Sequence, residues 1–211
     1  MSDPATSLTT DDATALERCL ASGGVAVFPA DTVYGLACDP LSGAAVARLY
    51  GLKGRPPARP AAVMFFAREP ALDVLAAGLG PRTRAALDRL LPGALTVLLP
   101  NPGRLFPLAC GPAPERVGLR VPALPTELAA LTAVERPLLQ SSANPSGAAD
   151  PRRLADVDGR IVAGADLALD GGTLPGTPST VVDMTSYESD GRFDVLREGA
   201  VPRPRVQALL A

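Results

Sequence analysis

Histidine and tryptophan are absent from this chain of 211 residues, and lysine occurs once, at Lys53, among 20 basic residues of which the other 19 are arginine. Without histidine there is no Ser-His or Cys-His nucleophile pair and no imidazole metal site, so any catalysis rests on other groups. Three cysteines, Cys19, Cys38 and Cys110, include no close pair and suit reduced core thiols better than a disulfide framework or a zinc site. No run approaches the roughly 20 apolar residues of a membrane span. The first residues, "MSDPATSLTTDD", are polar and acidic where a secretory leader would begin basic and turn apolar. The expected location is the cytoplasm, with no membrane contact. Twenty basic against 22 acidic residues give a net charge of −2, so there is no overall basic field for non-specific nucleic-acid binding, although local basic clusters remain available.

What is present is 47% hydrophobic and 20% charged, enough for one sizeable core, and 211 residues read as a single domain over 1–211. The 23 prolines and 20 glycines follow no period and read as turns between short elements. A helix is expected over 11–24, where Ala13, Leu16 and Leu20 share a face, and another after Ser42, ending near Gly51 and leaving Lys53, Arg55 and Arg59 on a loop. A third helix over 81–91 has Pro81 suited to its first turn. Apolar runs at 25–29, 61–66, 94–100, 117–122, 137–141, 179–184 and 193–198 read as strands, with brief helices near 125–132 and 151–157, the latter opened by Asp150 and Pro151. Strands alternating with helices indicate an α/β layer fold, and the adjacent late strands indicate a mixed sheet.

Several stretches could carry chemistry. "PLLQSSANPSG" (137–147) runs from an apolar strand into Ser141, Ser142, Asn144, Ser146 and Gly147 ahead of an expected helix start, which suits either a phosphate or an ordinary strand-to-helix turn. "KGRPPARP" (53–60) supplies Lys53, Arg55 and Arg59 on a segment stiffened by Pro56, Pro57 and Pro60. A lone lysine in an arginine-using chain suggests a position tied to a compact ammonium. Arg120 sits within the apolar "VGLRVP" and, if buried, requires an anionic partner, for which a substrate carboxylate is a natural choice. Arg197 lies where a strand runs out, and Ser179 and Thr180 begin another, at a position equally suited to a bulge or to ligand contacts.

Taken in order, "FPADTVYGLACDP", "KGRPPARP", "PGALTVLLP", "VGLRVP", "SSANPSG", "STVVD" and "LREG" resemble the YrdC-like family of threonylcarbamoyl-AMP synthases, over about residues 10–200. The resemblance implies a twisted, largely parallel mixed sheet with flanking helices and a concave basic face. It implies formation of L-threonylcarbamoyladenylate and pyrophosphate from L-threonine, bicarbonate and ATP. Magnesium would accompany the ATP, with no clear protein ligands. The product would feed a tRNA threonylcarbamoyl transferase complex acting at tRNA position 37, and tRNA itself is a further candidate ligand. Carried residue by residue, it implies catalytic roles for Lys53, Arg55, Ser142 and Asn144, threonine contacts from Thr32, Arg120 and Ser179, and ATP contacts from Arg55, Arg59, Ser142 and Arg197. The chain departs from many members at Asp31, where they hold Glu, at Arg59, where they hold Lys or Asn, and at Met64, where they hold a histidine near the threonine. It resembles the short form, without a further carboxy-terminal domain. Two rival readings are a carbamoyl-adenylate chemistry using carbamoyl phosphate and a non-catalytic RNA-binding module.

Overall fold

Helix α1, Thr10–Ala21, opens on a capping box in which Thr9 and Asp12 satisfy each other's backbone N–H groups, and it buries Ala13, Leu16 and Leu20 as their spacing predicts. The structure, a computed structural model, describes residues 7–56 and 58–211, so the first six residues of the polar amino terminus and Pro57 lie outside it. Strands β1, Val25–Pro29, and β2, Tyr34–Cys38, are buried along their whole length. Helix α2, Gly43–Lys53, begins with Ser42 accepting from the Ala45 N–H and ends on Gly54 in the left-handed conformation at φ 57°. This corrects the expected end near Gly51. The glycine that terminates the helix is Gly54, so Lys53 is helical and buried and does not ride on the loop.

The chain continues through β3, Ala62–Met64, α3, Arg68–Val74, α4, Pro81–Leu90, β4, Leu95–Pro100, α5, Pro107–Cys110, β5, Arg116–Arg120, and β6, Leu138–Ser142. It closes with α6, Gly159–Gly164, β7, Leu167–Ala168, β8, Thr180–Asp183, α7, Tyr187–Asp190, β9, Asp194–Arg197, and α8, Arg203–Leu210. The brief helix expected near 125–132 is present as the 3₁₀ helix Thr126–Ala133, whereas the second, expected at 151–157, is corrected to the single 3₁₀ turn Leu154–Asp156. The reason for the second lies in tertiary bonding, because the Pro151 carbonyl accepts from Tyr34 N and the Arg152 carbonyl from Leu174 N, leaving neither free for a helical turn. The Ser/Asn stretch therefore leads into a loop, and a helix N-terminus contributes nothing to anion binding there.

All nine strands form one sheet in the order β7-β1-β2-β6-β3-β5-β4-β8-β9. The mixed character is as expected, but the balance within it is not largely parallel. Three pairings are parallel (β1–β7, β3–β5, β4–β8) and five antiparallel. The short links of four residues between β1 and β2 and of ten between β8 and β9 can only turn the chain back on itself, which fixes an antiparallel neighbour on each side. One continuous core runs along this sheet from Leu16 and Leu20 to Val206 and Leu210. Cys38 and Cys110 are buried free thiols within it and Cys19 is partly buried, in keeping with the reading from sequence.

Candidate active site

One face of the sheet forms the floor of a cleft of about 480 Å³, where alternate residues from neighbouring strands point the same way: Ala62, Leu98, Gly118 and Gln140. Arginines 55, 116, 120 and 197 stand around it, which makes the face basic although the chain as a whole is not.

On one wall, Arg55 donates to Ser141 Oγ at 3.0 Å and to the carbonyls of Arg59 (3.3 Å) and Pro60, with its guanidinium 5.6 Å from the Tyr50 ring centroid. Arg59 donates to Ser146 Oγ at 3.3 Å. The segment carrying both is docked by Ala61 N donating to Ala109 O at 2.8 Å and by Gly111. At φ +61° a side-chain carbon on Gly111 would lie 2.8 Å from the Ala58 carbonyl oxygen.

Lys53 is 3% exposed and is absent from the residues lining the cleft. Its ammonium donates to the Ser142 carbonyl, to the Asn144 carbonyl at 2.7 Å and to Asn144 Oδ1 at 3.1 Å, while its own carbonyl accepts from Ser146 N at 2.8 Å. Burial, and then the neighbouring Arg55 charge, pull its pKa down to about 8. Lys53 therefore clamps the 142–146 loop from beneath. Ser142 Oγ lines the cleft and donates to Asn144 Oδ1 at 2.6 Å, and the Asn144 amide donates to Ala148 O at 2.6 Å, so buried Asn144 serves the loop while Ser142 faces the ligand space.

On the other wall, Arg120 is 2% exposed and donates to Asp31 and, at 2.7 Å, to Thr32 Oγ1. The buried arginine thus has the anionic partner its burial requires, and that partner is a carboxylate of the protein itself. Burial pushes the Asp31 carboxyl up and the Arg120 guanidinium down, and the charge of each partner opposes the other's shift. Ser179 Oγ shares a 2.8 Å hydrogen bond with Thr96 Oγ1, and Arg197 donates to the Ser179 carbonyl at 2.7 Å. Thr180 turns away and donates to Val201 O at 2.6 Å. Met64 is fully buried beside Arg120 in the β3–β5 register and does not line the cleft.

The structure therefore brings Thr32, Arg55, Arg120, Ser142, Ser179 and Arg197 to one cleft, leaves Arg59 outside its lining with a bond to Ser146, and sets Lys53 and Asn144 behind it. Arg116, Gln140 and Thr96 line the cleft and were not singled out from sequence. A signal for Arg116 existed, since Arg116, Gly118 and Arg120 alternate along one strand and so share a face.

The chain is an α/β domain with an arginine-ringed cleft laid across its sheet, a basic concave face that attracts anions. The family model described as telomere recombination, covering Sua5, YciO and YrdC, matches residues 18–199, and the chain belongs to this family. Threonylcarbamoyl-AMP synthase from Pyrococcus abyssi is 31% identical over 189 residues, covering 89% of this chain and 54% of that protein. The protein of the same name from Chromohalobacter salexigens is 36% identical over 172 residues, covering 81% and 91%. The crystal structure of P. abyssi Sua5 complexed with L-threonine superposes with a TM-score of 0.83 at 28% identity, covering 96% of this chain and 58% of that one. The chain thus spans about half the length of the Pyrococcus relative and nearly all of the Chromohalobacter one.

Proposed function

We propose that this chain is a threonylcarbamoyl-AMP synthase, a nucleotidyl-transferring enzyme that makes L-threonylcarbamoyladenylate and pyrophosphate from L-threonine, bicarbonate and ATP. The observation that carries this reading is a single cleft with Arg120, Thr32 and Ser179 on one wall and Arg55 and Ser142 on the other, with Arg197 next to Ser179. The threonine would lie against the first group and the triphosphate along Arg55, Arg59, Ser142 and Arg197.

The chemistry fits a chain without histidine. The threonine amine adds to carbon dioxide or bicarbonate, forming an N–C bond and a carbamate, with water leaving in the bicarbonate case. A carbamate oxygen then attacks the α-phosphorus of ATP, and the bond from that phosphorus to the bridging oxygen breaks to release pyrophosphate. Both steps depend on orientation and charge neutralisation more than on a strong protein base. Arg55 and Arg197, whose guanidinium groups bond to neutral oxygens in the free protein, keep their charge for the triphosphate. Lys53 and Asn144 hold the loop that presents Ser142.

Among the described residues no cluster of three acidic or cysteine side chains could cage a metal, and Asp150 is the carboxylate that lines the cleft. Magnesium is therefore proposed to arrive on the triphosphate's own oxygens, where it would neutralise phosphate charge. The product would pass to a tRNA threonylcarbamoyl transferase complex. No helix of the described residues is long and apolar enough to cross a membrane.

Pyrophosphate release on mixing the protein with ATP, L-threonine and bicarbonate tests the reading. Release that requires carbamoyl phosphate instead would assign the other adenylate chemistry. No release, together with filter retention of RNA that falls steeply with salt, would make the domain a binding module.

A further inference from the structure

The ion pair at the amino-acid wall has an asymmetry that bears on substrate recognition. The Asp31 and Arg120 side chains are 4% and 3% exposed, and one terminal nitrogen of Arg120 reaches both Asp31 and Thr32 Oγ1. The second Asp31 oxygen accepts from Ala123 N at 3.1 Å, so the carboxylate is anchored to the backbone just beyond β5. Arg120 lines the cleft and Asp31 does not. A guanidinium carries five donors in a rigid fork, so fixing one corner fixes where the rest point. The buried Arg120 Nε has no hydrogen-bond partner among the described residues.

We propose that Asp31 is the positioning residue for Arg120: it holds the guanidinium from behind so that its remaining donors face the carboxylate of the amino-acid substrate. The proposal rests on the reading that Arg120 meets the threonine carboxylate. Arg120 is already neutralised by Asp31, so it offers a ligand aimed donors and little net charge. Arg55 and Arg197 bond to neutral oxygens and keep their charge.

Calorimetric titration of L-threonine and of ATP, each into the wild-type protein and into Asp31→Asn, tests this. The expected result is a loss of about 100-fold in threonine affinity, the size of effect that a misplacement of about 1 Å produces, with ATP affinity within about threefold of wild type. Threonine affinity unchanged in a folded Asp31→Asn protein overturns the positioning role while leaving the threonine reading intact. Parallel loss of both ligands also overturns it, since that marks general damage to the fold. A wild-type protein that binds ATP and no threonine sinks the threonine reading itself. Should Asp31→Asn not fold, Asp31→Ser decides. It removes the ion pair while keeping a small polar side chain beneath the Ala123 N–H, with threonine affinity expected to fall at least about 10-fold and ATP affinity to hold. Unchanged threonine affinity in that variant overturns the proposal.

Discussion

An ammonium buried against three oxygen acceptors is constrained on every side, and this explains why position 53 carries the chain's one lysine. Three N–H bonds diverge from a single nitrogen and meet Ser142 O, Asn144 O and Asn144 Oδ1. A planar guanidinium is longer and would drive into the loop it is meant to hold. Lys53→Arg is therefore expected to lose about 100-fold in pyrophosphate release through displacement of Ser142. Overpacking at a buried site costs about 1 to 3 kcal/mol, so the melt should also fall by roughly 2 to 12 °C. A loop lysine would have left the melt unchanged, and the buried position reverses that expectation. Normal turnover at an unchanged melting temperature would show that the clamp is dispensable.

The same residue gives a titration that can be followed singly, because a lysine-labelled sample carries one side-chain resonance. Its midpoint is expected near pH 8, well below the ordinary lysine value of 10.5. With the folded-state pKa depressed, the unfolded chain binds more protons between about 8 and 10.5. The Lys53 contribution to stability is thus present in full above that window and is lost as pH falls through about 8. Urea unfolding at pH 8 and pH 10 should show the wild type gaining on Lys53→Met at the higher pH. A gap that narrows instead would contradict the sign of the shift.

Among the elements, the basic segment 55–60 owes its shape to a neighbour far along the chain. Gly111 is held at φ +61° with the Ala58 carbonyl 2.8 Å from where a Cβ would stand, so Gly111→Ala must push this segment away. Backbone strain of that kind costs about 1 to 3 kcal/mol. Arg55 and Arg59 ride on the segment, and ATP affinity should fall while threonine affinity holds; calorimetry on the variant that shows threonine weakened instead would separate the segment from the nucleotide. Nothing in the local sequence announces this contact. The long elements were legible because their patterns are local: α1, α2 and α4 carry apolar residues at helical spacing, with caps or Pro81 at their starts, and most strands are apolar runs between turns. Strand β2 escaped because Gly35 and the small Ala37 leave "YGLAC" without the run of bulky apolar residues that marked the others. The four-residue helices α5 and α7 are too short to show a full apolar period. At the site, the residue types and their motifs were legible. The partner of Arg120 and the burial of Lys53 were not, because each depends on segments about 90 positions apart.

At the scale of the whole molecule, the order of the sheet decides how the protein should unfold. β3 and β5 lie at its centre, flanked by β6 and β4, so strands from both halves of the chain interleave and no line of few contacts divides them. The core residues likewise form one cluster. Scanning calorimetry should therefore show one cooperative transition. The ligands bridge strands across that centre, since the cleft floor draws on β3, β4, β5 and β6 together, and binding should stabilise the sheet as a unit. ATP at 100 times its dissociation constant contributes about 2.7 kcal/mol, which for a chain of this length corresponds to a rise of roughly 5 to 11 °C in the single transition. A ligand that shifted one of two resolved transitions and left the other in place would mean that the sheet parts into separate units. The cleft would then be a joint between them, and its geometry would be set by docking, not by the continuous strand register that places Arg120 and Arg197 around one space.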